Sequence, residues 1–289
     1  MKNNKMKRKI YTIITVVGFA LLMWSCNKED ALGPSIFDTN SPPRTELDRW
    51  ILQNLTIPYN LDIIYKWKYT EADLSPALTP PKEELAERFI RDIVLAGWIE
   101  PYIKVAGLDF FNVASPKQLF LVGSAYSTSD ISILGTASAG RKVVVYKINS
   151  YNKSNLALLR EYLHTVQHEF AHILTQVRVY DPDFEIITPG TYRSDWSSAT
   201  VAWRRENGYI TAYASSGPFE DFAEMVSTML TTSPSVWRNM IDVEPTVGGR
   251  VLLQRKEEMV INYFKIVWGV DINALQVEMA EAIEKIANQ

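Results

Sequence analysis

All three histidines of the chain lie in one short stretch, His164-Thr165-Val166-Gln167-His168-Glu169-Phe170-Ala171-His172. Within it, His168 to His172 reads HExxH. On a helix, imidazoles at i and i+4 share a face and can converge on one divalent ion. The glutamate after the first histidine then reaches a water at the ion's open position. Zinc lowers the pKa of such a water towards neutrality, and a carboxylate beside it takes the proton during attack on a carbonyl. The chemistry predicted for His168, His172 and Glu169 is hydrolysis with one Zn2+ ion, Glu169 acting as general base.

That chemistry needs a helix to carry it. Leu159, Leu163, Val166, Phe170, Ile173 and Val177 recur in steps of three and four, which predicts a helix from about Asn155 to Val179 with one buried stripe. The histidines fall on the opposite side, with Glu169 at the edge between. A catalytic zinc takes a third protein ligand and keeps a fourth position for water. His164 cannot share an ion with His172, because eight residues of helix span ~12 Å. The metzincin extension is absent: Thr175 stands where its glycine would fall and Arg178 where its histidine would. The third ligand must be a carboxylate from elsewhere.

The best source is Gly217-Pro218-Phe219-Glu220-Asp221-Phe222-Ala223-Glu224. Pro218 suits a helix start, and Phe219, Phe222, Val226 and Leu230 give an apolar stripe to about Thr232. Glu220 and Glu224 sit one turn apart on the same face, a like-charge pair that a nearby cation would relieve. A shift of one turn would exchange which of them reaches the metal.

The rest of the chain frames these two helices. Lys2, Lys5, Lys7, Arg8 and Lys9 precede an apolar run from Ile10 to Trp24, then Ser25 and Cys26, the only cysteine. This is the plan of a secretory signal peptide over residues 1–25, with too short a run for a spanning helix. Residues 26–44, rich in polar residues, proline and glycine, read as a tether, and 45–289 as the folded domain. With 30 basic against 33 acidic residues and a net charge of −3, neither nucleic acid nor an anionic membrane surface is indicated as partner. Thr45 to Leu55 predicts a short helix, and Pro80-Pro81 opens another running through Trp98. Gln118–Tyr126 and Arg141–Ile148 read as strands, with Thr136–Gly140 as punctuation between them. The second strand, leading into the metal helix, is the candidate cleft edge that could pair with an extended peptide. Asp181-Pro182-Asp183 ends the metal helix, and Tyr192, Trp196 and Trp203 mark an irregular aromatic stretch beyond it. Leu252–Trp268 and Ile272–Ala287, broken by Gly269, predict two structural helices.

Several of these features resemble known families. In gluzincins a second helix supplies a metal-binding glutamate and, four residues on, a carboxylate that holds the first histidine of HExxH. By that resemblance Glu220 is the third ligand and Glu224 the anchor of His168. The segment Tyr213 to Glu224 resembles the corresponding stretch of the anthrax lethal factor family. This implies that Tyr213 points at the metal and stabilises the oxyanion, with Tyr209 as its rival. Ser25-Cys26 resembles a bacterial lipobox, apart from Met23 and Trp24, which implies acylation of Cys26. Lys28-Glu29-Asp30 resembles an acidic signal for export to the outer cell surface. Leader, HExxH helix and Glu220 helix together resemble the substrate import-associated zinc metallohydrolase lipoproteins of Bacteroidetes. That family implies a zincin-like α+β fold, with a small twisted sheet packed on the HExxH helix and a mainly helical C-terminal part. It also implies a peptide or protein substrate and a lipid-anchored protein at the outer membrane, beside a TonB-dependent importer and its surface binding lipoprotein. Two alternatives share most of these residues. One is an accessory lipoprotein that binds peptide or glycan and uses zinc structurally. The other is a zinc amidase acting on glycopeptide or peptidoglycan.

Overall fold

The computed structural model describes residues 43–68, 78–128, 131–133, 135–138, 142–242 and 247–289; the leader, Cys26 and Lys28–Asp30 lie outside these. Thr45–Gln289 forms one compact unit. Among the described residues no helix is long and apolar enough to cross a membrane.

Thr45 caps α1 (Glu46–Ile51) in a reciprocal pair with Asp48, and wider π-type turns at Leu52–Thr56 carry the helix into Ile57–Tyr59. Strand β1 (Asp62–Ile64) follows, too short to announce itself in the sequence. Helix α2 begins at Glu83 with Glu83 and Glu84 in its first turn. It runs through π-type turns at Ile90–Ile99 to Glu100–Ala106. After α3 (Leu108–Ala114) come β2 (Gln118–Leu121), β3 (Tyr126–Thr128), β4 (Ile131–Ile133), β5 (Gly135–Ser138) and β6 (Lys142–Val145).

The first predicted strand is therefore cut in two. At Gly123 the backbone N–H goes to the Thr79 carbonyl, the chain leaves the sheet, and β3 pairs with β4 in a separate ribbon. The main sheet has the order β1-β2-β6-β5, with β1, β2 and β6 parallel and β5 antiparallel to β6. This corrects the expected cleft edge. β6 is internal, and the edge is β5, much of it the stretch read as punctuation. Gly-Thr-Ala-Ser carries little strand signal because glycine and alanine are depleted in strands. Gly135 allows close approach: a Cβ there would lie 2.4 Å from Thr165 Cγ2 of the HExxH helix. Alternation along the strands sends Leu119, Leu121, Val143 and Val145 into the main core. Phe120, Val122, Val144 and Tyr146 go to a smaller cluster on the other face.

Helix α4 (Leu156–Val177) starts where the Asn155 side chain accepts the Leu158 N–H. Leu159, Leu163, Val166, Phe170 and Ile173 are buried as the periodicity predicts, but Val177 is exposed, and Tyr162, Gln167, Ala171 and Leu174 are buried too. Core surrounds most of the helix. Phe170 meets Trp98, Tyr102 and Phe111 ring to ring, and its loss would cost about 3–5 kcal/mol.

The C-terminal part is helical: α5 (Val201–Glu206), α6 (Pro218–Thr231), α7 (Pro234–Asp242), α8 (Val247–Asn262, extended by π-type turns at Tyr263–Trp268) and α9 (Ile272–Asn288). In α6, Phe222, Val226 and Leu230 are buried with Met225 and Met229, whereas Phe219, predicted in the stripe, is 59% exposed. The whole is a mainly helical α+β fold with a small mixed sheet against the HExxH helix.

Candidate metal centre

Helices α4 and α6 face each other turn for turn in opposite directions. His164 Nε2 lies 3.0 Å from Ser227 Oγ, His168 Nδ1 2.7 Å from Glu224 Oε1, and His172 Nε2 3.2 Å from Glu220 Oε2. This register brings together the residues that the sequence left fifty positions apart. Three donor atoms converge: His168 Nε2 and His172 Nε2 are 3.0 Å apart, and Glu220 Oε2 is 3.0 Å from the former. Ligands about 2.0–2.1 Å from a tetrahedral ion sit roughly 3.3 Å from one another, so the spacing suits zinc. The donor chemistry agrees. Glu224 accepts the Nδ1 proton of His168, leaving Nε2 to face a second imidazole nitrogen and a carboxylate. Only a shared positive charge settles that meeting. Among the described residues His168, His172 and Glu220 are the one group placed to hold a metal in this way.

The electrostatics carry the same message. Burial works to lower His168, yet the Glu220 and Glu224 carboxylates outweigh it and hold the imidazole up to about 10. Burial works to raise Glu220, yet bonds from His168 and His172 hold it well below the usual carboxylate range. Metal ligands must be deprotonated to bind, so metal affinity here should fall as pH falls. The position of Glu220 in the first turn of α6 adds the favourable end of the helix dipole.

Around this core stand the other predicted residues. Glu224 is buried and bonded twice, by His168 Nδ1 and by Thr211 Oγ1 at 2.6 Å; Thr211 was not foreseen. His164 turns to Ser227 with Glu224 3.6 Å away, and burial, opposed by Glu224, pushes it down. Glu169 is 7% exposed, its Oε1 3.5 Å from where a Gly135 Cβ would stand, so it lies against β5. The Tyr213 ring centre is 5.7 Å from that of His168. Burial, then Glu220, pushes that phenol well up. Tyr209 is fully buried elsewhere, stacked on Trp203 and bonded to Thr191 at 2.7 Å. Trp196 packs edge-on against Tyr213 at 4.8 Å.

The sequence reading missed a second charge cluster behind the site. Lys256 of α8, expected to be merely structural, is fully buried, with Nζ 2.6 Å from Asp221 Oδ2. Leu253, Lys256, Val260 and Tyr263 follow steps of three and four along the buried stripe of α8, a pattern that the charged run around the lysine obscures.

No curated protein matches this chain. A crystal structure of a putative zinc-binding metallo-peptidase from Bacteroides caccae is similar, with 31% identity and a TM-score of 0.73. The match covers 88% of this chain and 98% of that one. A family model described as "Putative zinc-binding metallo-peptidase" matches residues 40–273. The chain belongs to that family of zinc-binding metallo-peptidases.

Proposed function

We propose that the chain is a zinc-dependent peptidase of gluzincin type, carried at the outer cell surface by a lipid on Cys26. The observation that carries the reading is the convergence of His168, His172 and Glu220, with Glu169 on the same helix as the two histidines and the Tyr213 ring beside His168. Bound zinc would supply a Lewis acid that polarises a carbonyl and acidifies a water. His168, His172 and Glu220 would hold it. Glu224 fixes the His168 ring through Nδ1. Glu169 takes the proton from the attacking water and passes it to the leaving amine. Tyr213 donates its hydroxyl to the carbonyl oxygen as negative charge gathers there. Because β5 ends the sheet, an extended peptide can add to it and lie across the metal helix.

Three protein donors and an adjacent carboxylate base favour catalysis over a structural ion, which takes four protein ligands. The basic start, the apolar run and Cys26 support surface anchorage, and the resemblance to import-associated lipoproteins supports a TonB-dependent importer as partner. The test uses zinc-loaded protein and Glu169→Gln with a diverse peptide mixture, new termini being read by mass spectrometry. Wild type should cleave, and Glu169→Gln should keep zinc and lose about 10²–10⁴-fold in turnover. Equal cleavage by both would remove Glu169 from the mechanism.

A further inference from the structure

We propose that Lys256 is a positioning residue for the metal centre, locking the first turn of α6 and the segment that leads to Tyr213 into one arrangement. The inference rests on the reading of His168, His172 and Glu220 as ligands.

An ammonium has three directed donors, and here the group meets two parts of the chain, the first turn of α6 and the Gly208-Tyr209 segment. Lys256 Nζ bonds Asp221 Oδ2 at 2.6 Å, donates to the Gly208 carbonyl at 2.8 Å, and lies 4.2 Å from the centre of the Tyr209 ring. Tyr192 donates its hydroxyl to the same Asp221 oxygen at 3.0 Å. Asp221 follows Glu220 directly, and the segment from Gly208 and Tyr209 leads through Thr211, the partner of Glu224, to Tyr213. One buried charge thus ties α8 to the residues that flank the ligand, its anchor and the tyrosine.

Two observations argue that this tie sets geometry. First, the N-terminus of α6 has no side-chain cap: Gly217 precedes it and offers none. The Asp221–Lys256 bond does the fixing that a capping side chain does elsewhere. Second, Gly208 has φ +72°, and a Cβ there would lie 2.5 Å from Leu252 Cβ. The backbone is drawn against α8 where only glycine fits, and Lys256, one turn beyond Leu252, holds it there. A buried ion pair is a weak source of stability, since well-packed apolar residues often do as well. Fixing one arrangement is the role left for it, and a metal site needs its ligands held within about 0.5 Å.

The experiment compares wild type, Lys256→Met/Asp221→Asn and Glu220→Gln. It measures thermal unfolding, zinc affinity by competition with a chromophoric chelator, the Co2+ absorption spectrum, and kcat and KM separately. The double variant keeps the volume of both side chains and an acceptor for Tyr192, so it should unfold near the wild-type temperature. Its zinc affinity should fall about 10–100-fold, its cobalt spectrum should change, and kcat should drop with KM little moved. A folded double variant with wild-type affinity and spectrum overturns the proposal. Where the double variant does not fold, Asp221→Asn alone carries the test: a loss of about tenfold in affinity is expected, and wild-type affinity overturns it. Glu220→Gln separates the two readings. If it binds zinc as tightly as wild type, the ligand assignment fails; if it loses zinc while the Lys256 variant keeps it, only the positioning role fails.

Discussion

Glu220 and Asp221 are neighbours on one helical turn, yet they belong to opposite kinds of charge cluster. Asp221 is fully enclosed and meets a cation of the chain itself, Lys256. Burial pushes its carboxyl up to about 6 against the pull of Lys256, and burial pushes the lysine down. Both charges are held against their tendency to neutralise. Glu220 keeps 27% of its side chain exposed and meets two imidazoles whose nitrogens also face each other. There the surroundings draw positive charge in, and among the described residues no lysine or arginine pairs with Glu220. On one side of α6 the cation is built in and dry; on the other, under the proposed function, it would come from solution. Under that reading one cluster is for holding and the other for chemistry.

Paired substitutions on the two sides sharpen this contrast, and the largest effect belongs to the tyrosines. Tyr213→Phe keeps the ring against Trp196 and removes only the hydroxyl. Turnover should fall about 10²–10³-fold with zinc affinity unchanged. Tyr209→Phe removes the bond to Thr191 but leaves the ring face that Lys256 contacts. It should cost about 1 kcal/mol of stability and change turnover far less. Steady-state kinetics of the two variants side by side would reverse the assignment if Tyr209→Phe proved the slower.

A middle-sized effect is expected at Glu224, which is buried like Asp221 but serves the metal side. Glu224→Gln keeps an acceptor for His168 Nδ1 and a partner for Thr211 while removing the charge. Zinc affinity should fall about 10–100-fold, measured against a chelator. Unchanged affinity would mean that the His168 ring is fixed by packing alone and that the metal side needs no charged anchor.

How much of this could be read from the chain depends on where each signal resides. HExxH and the periodicity of α4 are local, so the helix and the row of histidines on it were legible. With three histidines in the chain a carboxylate was expected as partner; the residues alone left Glu220 and Glu224 open, and the resemblance to gluzincins pointed to Glu220. Pro218 and Gly269 marked helix ends correctly. The edge strand was not, because glycine and alanine carry little strand signal, and Gly135 stands there for its nearness to Thr165. Lys256 was hidden in the run Arg255-Lys256-Glu257-Glu258, which reads as a solvated face until its partners are known. Glu257 is likewise buried, against Trp237 and Arg238 of α7. Buried charges declare themselves only through contacts from distant parts of the chain.

The smallest effect lies at the rim and tests whether the metal side is open at all. Phe219 and Phe222 are three residues apart on α6 and both meet Tyr180. Phe222 is 1% exposed, stacked on that ring at 4.4 Å and edged by Phe184 and Tyr263. Phe219 is 59% exposed, with its ring centre 6.1 Å from the same tyrosine. Phe222→Ala should therefore cost about 3–5 kcal/mol. Phe219→Ser should stay within about 0.5 kcal/mol in denaturant unfolding. A core-sized loss of stability at Phe219 would mean that this face is packed shut, and the contrast between an open metal side and a closed lysine side would not hold.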